Sequence, residues 1–218
     1  MKILICLLIG YCLGMLSPSA FFSKIKHKNM KQAGTGNLGA SNAVIVLGRK
    51  FGIVIMVLDI LKALAAAHFA AYLFPDMSTA GYWAGFGAIL GHVYPFYLHF
   101  QGGKGLACFG GMACFYSPWL LAFYLTIGIA LTLLANRSVF LVVFAAVTFP
   151  IILILCTGDW ACFGIVSLTS ALMLWIHRKN FGRVERGEEA PMRKLAKATL
   201  SGKKVTMKMD QEESPPES

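Results

Sequence analysis

Three polar stretches and one pair of opposite charges hold the residue types that could do chemistry. The first, residues 34–42, reads GTGNLGASN. It offers exposed backbone N–H groups, the hydroxyls of Thr35 and Ser41, and the amides of Asn37 and Asn42. A loop of that kind at a helix start suits an anion, because its donors are many and its side chains small; the plain alternative is a Gly/Asn turn. Taken literally it contains GxGxxG, with Asp59 twenty residues after Gly39. A dinucleotide fingerprint needs a buried strand before its glycines, and residues 24–32 are mostly charged or polar, so that reading fails. The second stretch begins at Gly91-His92 and closes on Gln101-Gly102-Gly103-Lys104-Gly105. Glycine rather than Ser or Thr follows the lysine, so this is no Walker A loop. Three glycines around one lysine still make a compact cationic pocket, unless Lys104 is only a snorkelling anchor. The third is His177-Arg178-Lys179-Asn180, followed by Arg183 and Gly187-Glu188-Glu189. On a helix His177 and Asn180 share a face, although a basic membrane exit has the same composition. Finally, Asp59 and Lys62 stand at i, i+3 in an apolar run, where ionisable groups serve a site or a buried charge network.

The elements that must carry these groups are apolar. The chain is 57% hydrophobic and 14% charged, against roughly 45–50% and about 25% in soluble domains. Residues 105–136 contain no Asp, Glu, Lys or Arg. Such a run exceeds the ~20 residues that cross a bilayer and has no place in a soluble fold. The expected spans are residues 3–22, 51–74, 81–100, 139–156 and 160–177. Residues 105–135 would make a helix of about 46 Å at about 1.5 Å per residue, too long for one ~30 Å crossing. Gly110, Gly111 and Pro118 suggest two shortened helices meeting near Ser117 and Pro118.

Orientation follows from charge. The connection 23–50 holds Lys24, Lys26, Lys28, Lys31, Arg49 and Lys50 and no acid, Lys104 and Arg137 mark two more connections, and the tail from Arg178 carries ten Lys and Arg. Placing these in the cytoplasm gives an all-α polytopic membrane protein of about seven spans, N-terminus outside and C-terminus inside. A cleaved signal peptide over the first span would leave the basic 23–50 segment outside, against that rule. Residues 1–190 then form the membrane-embedded domain and 191–218 a cytoplasmic tail, disordered toward its Glu- and Pro-rich end. The net charge of +10 reads as basic loops facing anionic lipid, and nothing suggests nucleic acid. Six cysteines lie in apolar runs without a CxxC pair and read as small apolar residues rather than a disulfide or metal framework.

These stretches, in this order, resemble the PlsY family of acyl-phosphate:glycerol-3-phosphate acyltransferases. The family pattern GSGNxGATN, DxxKG, GHxFPxFxxFxGGKGVAT and HxxNIxRLxxGxE corresponds here to GTGNLGASN, Asp59-Ile-Leu-Lys62-Ala63, GHVYPFYLHFQGGKGLAC and HRKNFGRVERGEE, over roughly residues 1–190. The resemblance implies seven helices with an external N-terminus and an active site facing the cytoplasm. It implies acyl phosphate and glycerol 3-phosphate as substrates, a soluble acyl-phosphate synthase as supplier, and neither cofactor nor metal. It places Gly102, Gly103, Lys104 and Gly105 at the glycerol phosphate. His177 and Asn180 become the catalytic pair, with Lys104 beside them, and Glu189 a structural residue. Thr35, Asn37, Ser41 and Asn42 fall at the second phosphate-bearing substrate. Among the departures from the pattern, Asn29-Met30-Lys31 replaces Asp-Ile-Arg, Thr35 replaces serine, and Ile45 stands where an arginine follows the loop. A lysine gives a point charge where arginine offers a fork, so weaker donor binding is expected. No histidine has Asp five positions later, so the HxxxxD acyltransferase signature is absent. The rivals are a small transporter or channel, favoured by Asp59 and Lys62 inside the membrane, and a relative with another acceptor or no activity.

Overall fold

The computed structural model describes residues 1–137 and 139–186. Gly187, Glu189 and the tail from residue 191 therefore lie outside the described residues. Within them the protein is helical, in the order α1 (Lys2–Gly14), α2 (Pro18–Ile25), α3 (Ala40–Val46), α4 (Arg49–Leu73), α5 (Ala80–Val93), α6 (Leu106–Tyr116), α7 (Pro118–Phe123), α8 (Ile129–Ala135), α9 (Val139–Thr157), α10 (Trp160–Ile176) and α11 (Arg178–Glu185). A short 3₁₀ turn covers Phe96–Leu98, and a π-helical turn, Tyr124–Gly128, joins α7 to α8.

Among the described residues, four elements are long and apolar enough to cross a membrane: Lys2–Ile25, Arg49–Leu73, Pro118–Ala135 and Val139–Thr157. A fifth crossing is available if α10 and α11, bent by 46°, count as one. The expected break at residue 117 is present, with Ser117 extended and Pro118 opening α7. Two expected spans differ from the sequence reading. The first is split after Gly14, because Pro18 begins a new helix whose N-cap is Ser17, its hydroxyl accepting from Ala20 N–H at 3.2 Å. The third stops at Val93 after 14 residues, about 21 Å at about 1.5 Å each. It stops because Pro95 holds Tyr94 out of helical backbone (φ −124°, ψ 57°), and beyond it the chain turns back through His99 and Phe100, both left-handed at φ 56° and 57°. The following glycine N–H groups then cap the helix end, Gly102 on Val93 O at 2.9 Å and Gly103 on His92 O at 3.1 Å.

Small residues let the first helices touch backbone to backbone. A side chain at Gly10 or Gly14 of α1 would strike the backbone of Ala84 and Ala88 on α5, and one at Gly87 or Gly91 would strike Leu7 and Tyr11. Gly111 of α6 lies equally close to Ile60 O on α4. Without water to expel, such van der Waals contact is the main force joining membrane helices. Phe109 and Phe149 meet edge to face across α6 and α9, ring centroids 5.6 Å apart, at the centre of the apolar core. The outer surface shows Leu8, Val57, Leu61 and Leu155. Exposed Trp160 and Trp175 stand near the two ends of α10, as interfacial anchors do. Asp159 caps the start of that helix, accepting from Cys162 N–H and Ala161 N–H at 2.9 Å. Those bonds, led by Cys162, hold its carboxyl below the usual range. The described cysteines are all free; Cys6, Cys108 and Cys162 are buried, while Cys12 and Cys156 are on the outer surface.

Candidate active site

The glycine loop of residues 34–42 is built around one side chain. Asn42 is fully buried. Its Nδ2 donates to Met30 O at 2.8 Å, Ala33 O at 3.1 Å and Asn37 O at 2.9 Å, while Oδ1 accepts from Thr35 N–H at 2.8 Å. Both of its N–H groups are thus occupied by three carbonyls. Asn42 fixes the loop from within and does not turn toward a ligand as the sequence reading had it. Gly34 (φ +64°) and Gly36 (φ +70°) provide the left-handed turns that wrap the loop around this amide. Thr35 and Ser41 are exposed, and Asn37 is half-buried against Gly39. These three remain able to face a ligand.

The glycine-lysine loop sits directly on the first. A Cβ on Gly103 would stand 2.7 Å from Leu38 O and 2.9 Å from His92 Cε1, so only glycine fits between loop one and the end of α5. Leu38 O also accepts from Ser19 Oγ of α2 at 3.1 Å. Lys31 Nζ ties the two loops from outside, 3.4 Å from Leu98 O and 3.3 Å from Gln101 Oε1. The N–H groups of Gly102 and Gly103 point back into α5, as described above, and are not aimed at a phosphate. Gly105 takes a left-handed conformation (φ +82°) and opens α6. Lys104, half-buried, immediately precedes that helix start.

The third segment completes the cluster at the elbow between α10 and α11. His177, 3% exposed, occupies the elbow. Its Nδ1 lies 2.9 Å from Met173 O. A carbonyl only accepts, so Nδ1 carries the hydrogen and Nε2 of the neutral ring keeps its lone pair. His177 O accepts from Asn180 N–H at 2.7 Å, turning Asn180 inward. Asn180 Oδ1 then accepts from Lys104 Nζ at 2.5 Å and from Arg183 Nη2 at 2.7 Å. Two cations converge on one neutral oxygen. An anion arriving there would meet both charges. The structure thus unites Gly102, Gly103, Lys104 and Gly105 with His177 and Asn180, and sets Thr35, Asn37 and Ser41 on the adjoining loop. Sequence reasoning left Arg183 out of the site; its i+3 spacing from Asn180 on a helix was the available signal.

Asp59, His92 and Cys108 are buried with ligand atoms within 4.8 Å of one another, a set that could hold a metal ion. The ammonium of Lys62 already stands there, 2.8 Å from Asp59 Oδ1 and 2.9 Å from His92 Nδ1, and fills the place of a cation.

A helical membrane protein that packs two glycine loops and a basic helix elbow into one anion-receptive cluster defines an enzyme class acting on phosphate-bearing substrates at a bilayer. Comparison with known proteins gives the particular one. A family profile described as Glycerol-3-phosphate acyltransferase matches residues 4–187. The chain is 32% identical over 200 residues to a glycerol-3-phosphate acyltransferase of Enterococcus faecalis, covering 87% of this chain and 92% of the relative. It is 34% identical over 197 residues to one of Staphylococcus aureus, covering 87% and 97%. The crystal structure of PlsY (YgiH), an integral membrane glycerol 3-phosphate acyltransferase in its glycerol 3-phosphate form, superposes with TM-score 0.82 at 26% identity, covering 90% of this chain and 98% of that one. Its lysophosphatidic acid form gives TM-score 0.79 at 27% identity, covering 88% and 95%. The chain belongs to the glycerol-3-phosphate acyltransferase family.

Proposed function

We propose that this protein transfers a fatty acyl group from acyl phosphate to glycerol 3-phosphate at the cytoplasmic face of the membrane, giving 1-acylglycerol 3-phosphate and inorganic phosphate. The observation that carries the reading is the shared oxygen of Asn180, held between Lys104 and Arg183 beside His177. Membership of the family supports the acceptor, and the basic connections support the cytoplasmic side. Lys104 and Arg183 hold the glycerol phosphate, and Thr35, Asn37 and Ser41 hold the phosphate of the donor. The acceptor oxygen bonds to the acyl carbon, the bond from that carbon to the phosphate oxygen breaks, and phosphate leaves with the electron pair. The donor is already an activated mixed anhydride, so no covalent enzyme intermediate is needed. The hydroxyl proton goes to Nε2 of His177, the ring nitrogen left free by the bond to Met173, or to a substrate phosphate. The protein's main contribution is to hold two anions side by side with oxygen against carbon. A soluble enzyme that makes acyl phosphate is the supplier this reaction requires.

The test offers purified protein acyl phosphate and acyl-coenzyme A at equal concentration, with glycerol 3-phosphate as acceptor. Transfer from acyl phosphate is expected, with little or none from the thioester. Faster transfer from the thioester would overturn the donor assignment; no transfer from either would overturn the function.

A further inference from the structure

Three buried ionisable groups take no part in the chemistry above, yet they stand under both loops that bind the substrates. Asp59 is 1% exposed, Lys62 8% and His92 6%. Lys62 Nζ has three polar neighbours: it pairs as an ion with Asp59 Oδ1 at 2.8 Å and bonds His92 Nδ1 at 2.9 Å and Leu16 O at 2.6 Å. Leu16 belongs to the break between α1 and α2, where Pro18 leaves carbonyls without helical partners. Tyr97 takes the neighbouring one, its hydroxyl donating to Met15 O at 2.7 Å. A single ammonium thus joins the break in the first span, the middle of α4 and the end of α5.

From the end of α5 the connection continues into the site. His92 O and Val93 O receive the N–H groups of Gly103 and Gly102. The His92 ring lies against Gly103, which in turn lies against Leu38 O of the first loop. Whatever fixes the His92 ring therefore fixes how far the glycine-lysine loop stands from the first loop. If the two loops hold the two substrates, it also fixes how far apart the substrates are held. A buried pair needed only for charge balance would require neither a third helix nor a broken one.

We infer that Asp59, Lys62 and His92 are positioning residues that set the spacing of the two substrate loops. They touch no substrate and act through Gly102 and Gly103. The inference rests on the proposed function for its kinetic consequence alone; the loop-ordering consequence is independent of it.

Two variants of the full chain, purified in detergent, test it. Asp59→Asn/Lys62→Met removes the charges of the ion pair together rather than stranding one of them. His92→Phe keeps the ion pair and its Leu16 contact but removes the ring nitrogen that Lys62 grips. The first readout is deuterium uptake in residues 94–105 without substrates. Exchange at least about fivefold faster than wild type is expected in both variants, while α9 exchanges as before. The second is kinetic: kcat down at least about tenfold, with KM for glycerol 3-phosphate within about threefold. Uptake within twofold of wild type in whichever variant folds overturns the inference, whatever the activity. So does wild-type kcat in the double variant, since charge balance would then be the network's whole role. If wild type itself transfers no acyl group, the proposed function falls and the exchange experiment still decides the network.

Discussion

Lys104 and Arg183 reach the same amide oxygen from different elements, a loop and a helix, so their effects should be separable from folding. Lys104→Ala and Arg183→Ala are each expected to raise KM for glycerol 3-phosphate by at least about tenfold, equivalent to ~1.4 kcal/mol, while elution and thermal midpoint stay near wild type. An unchanged KM in folded protein would make either one an interfacial anchor. Lys104 drew notice in the sequence because glycines on both sides of a lysine clear space around its charge, and the fold sets it against Asn180 of the third stretch. The setting of Asn42 was not legible, for an equally physical reason. An asparagine in a polar loop looks available to a ligand, and only the fold reveals three carbonyls gathered on its Nδ2.

At the scale of elements, the glycines of α1 and α5 keep the break at residues 15–17 within reach of Lys62 and Tyr97. Gly14→Leu should drive α1 from α5, because even a Cβ at that position collides with the backbone of Ala88. A cost of about 1–3 kcal/mol is expected, read as a lower midpoint of thermal unfolding in detergent, together with loss of activity. A wild-type midpoint would show that the two helices do not depend on this contact. The break at Ser117 could be read in advance, since a proline within an uncharged stretch too long for one crossing marks where the helix must give way. The early end of α5 had the same kind of signal in Pro95, passed over because residues 94–100 are otherwise apolar. What local pattern does not show is the pair of hydrogen bonds from Gly102 and Gly103 that caps Val93 and His92.

For the whole molecule, the helical membrane architecture follows from the distribution of charge along the chain, and the observed spans agree with it in kind. Orientation is the prediction that belongs here. Single cysteines at Asp76 and Asp159, in a cysteine-free background, should react with an impermeant thiol reagent added outside intact cells, whereas one at Lys28 should not. Labelling at residue 28 would invert the protein and its site. The number of crossings was less legible than their nature. Two of the expected spans meet the site, and there the chain gives up regular helix for turns whose carbonyls and N–H groups are satisfied by side chains and glycines instead.

The i, i+3 spacing of Asp59 and Lys62 also bears on biogenesis. An unpaired Asp or Lys at the centre of a helix entering through the translocon costs about 2.5–3.5 kcal/mol. Here the two ions lie one turn apart on the same helix, so α4 can neutralise its own charge before any later helix packs against it. The helix that organises the site thus enters the bilayer without waiting for the histidine it will eventually hold. In a glycosylation-mapped insertion assay, α4 with Lys62→Leu alone should insert less efficiently than with Asp59→Leu/Lys62→Leu. Equal efficiency would mean that the pair forms only after the bundle has closed.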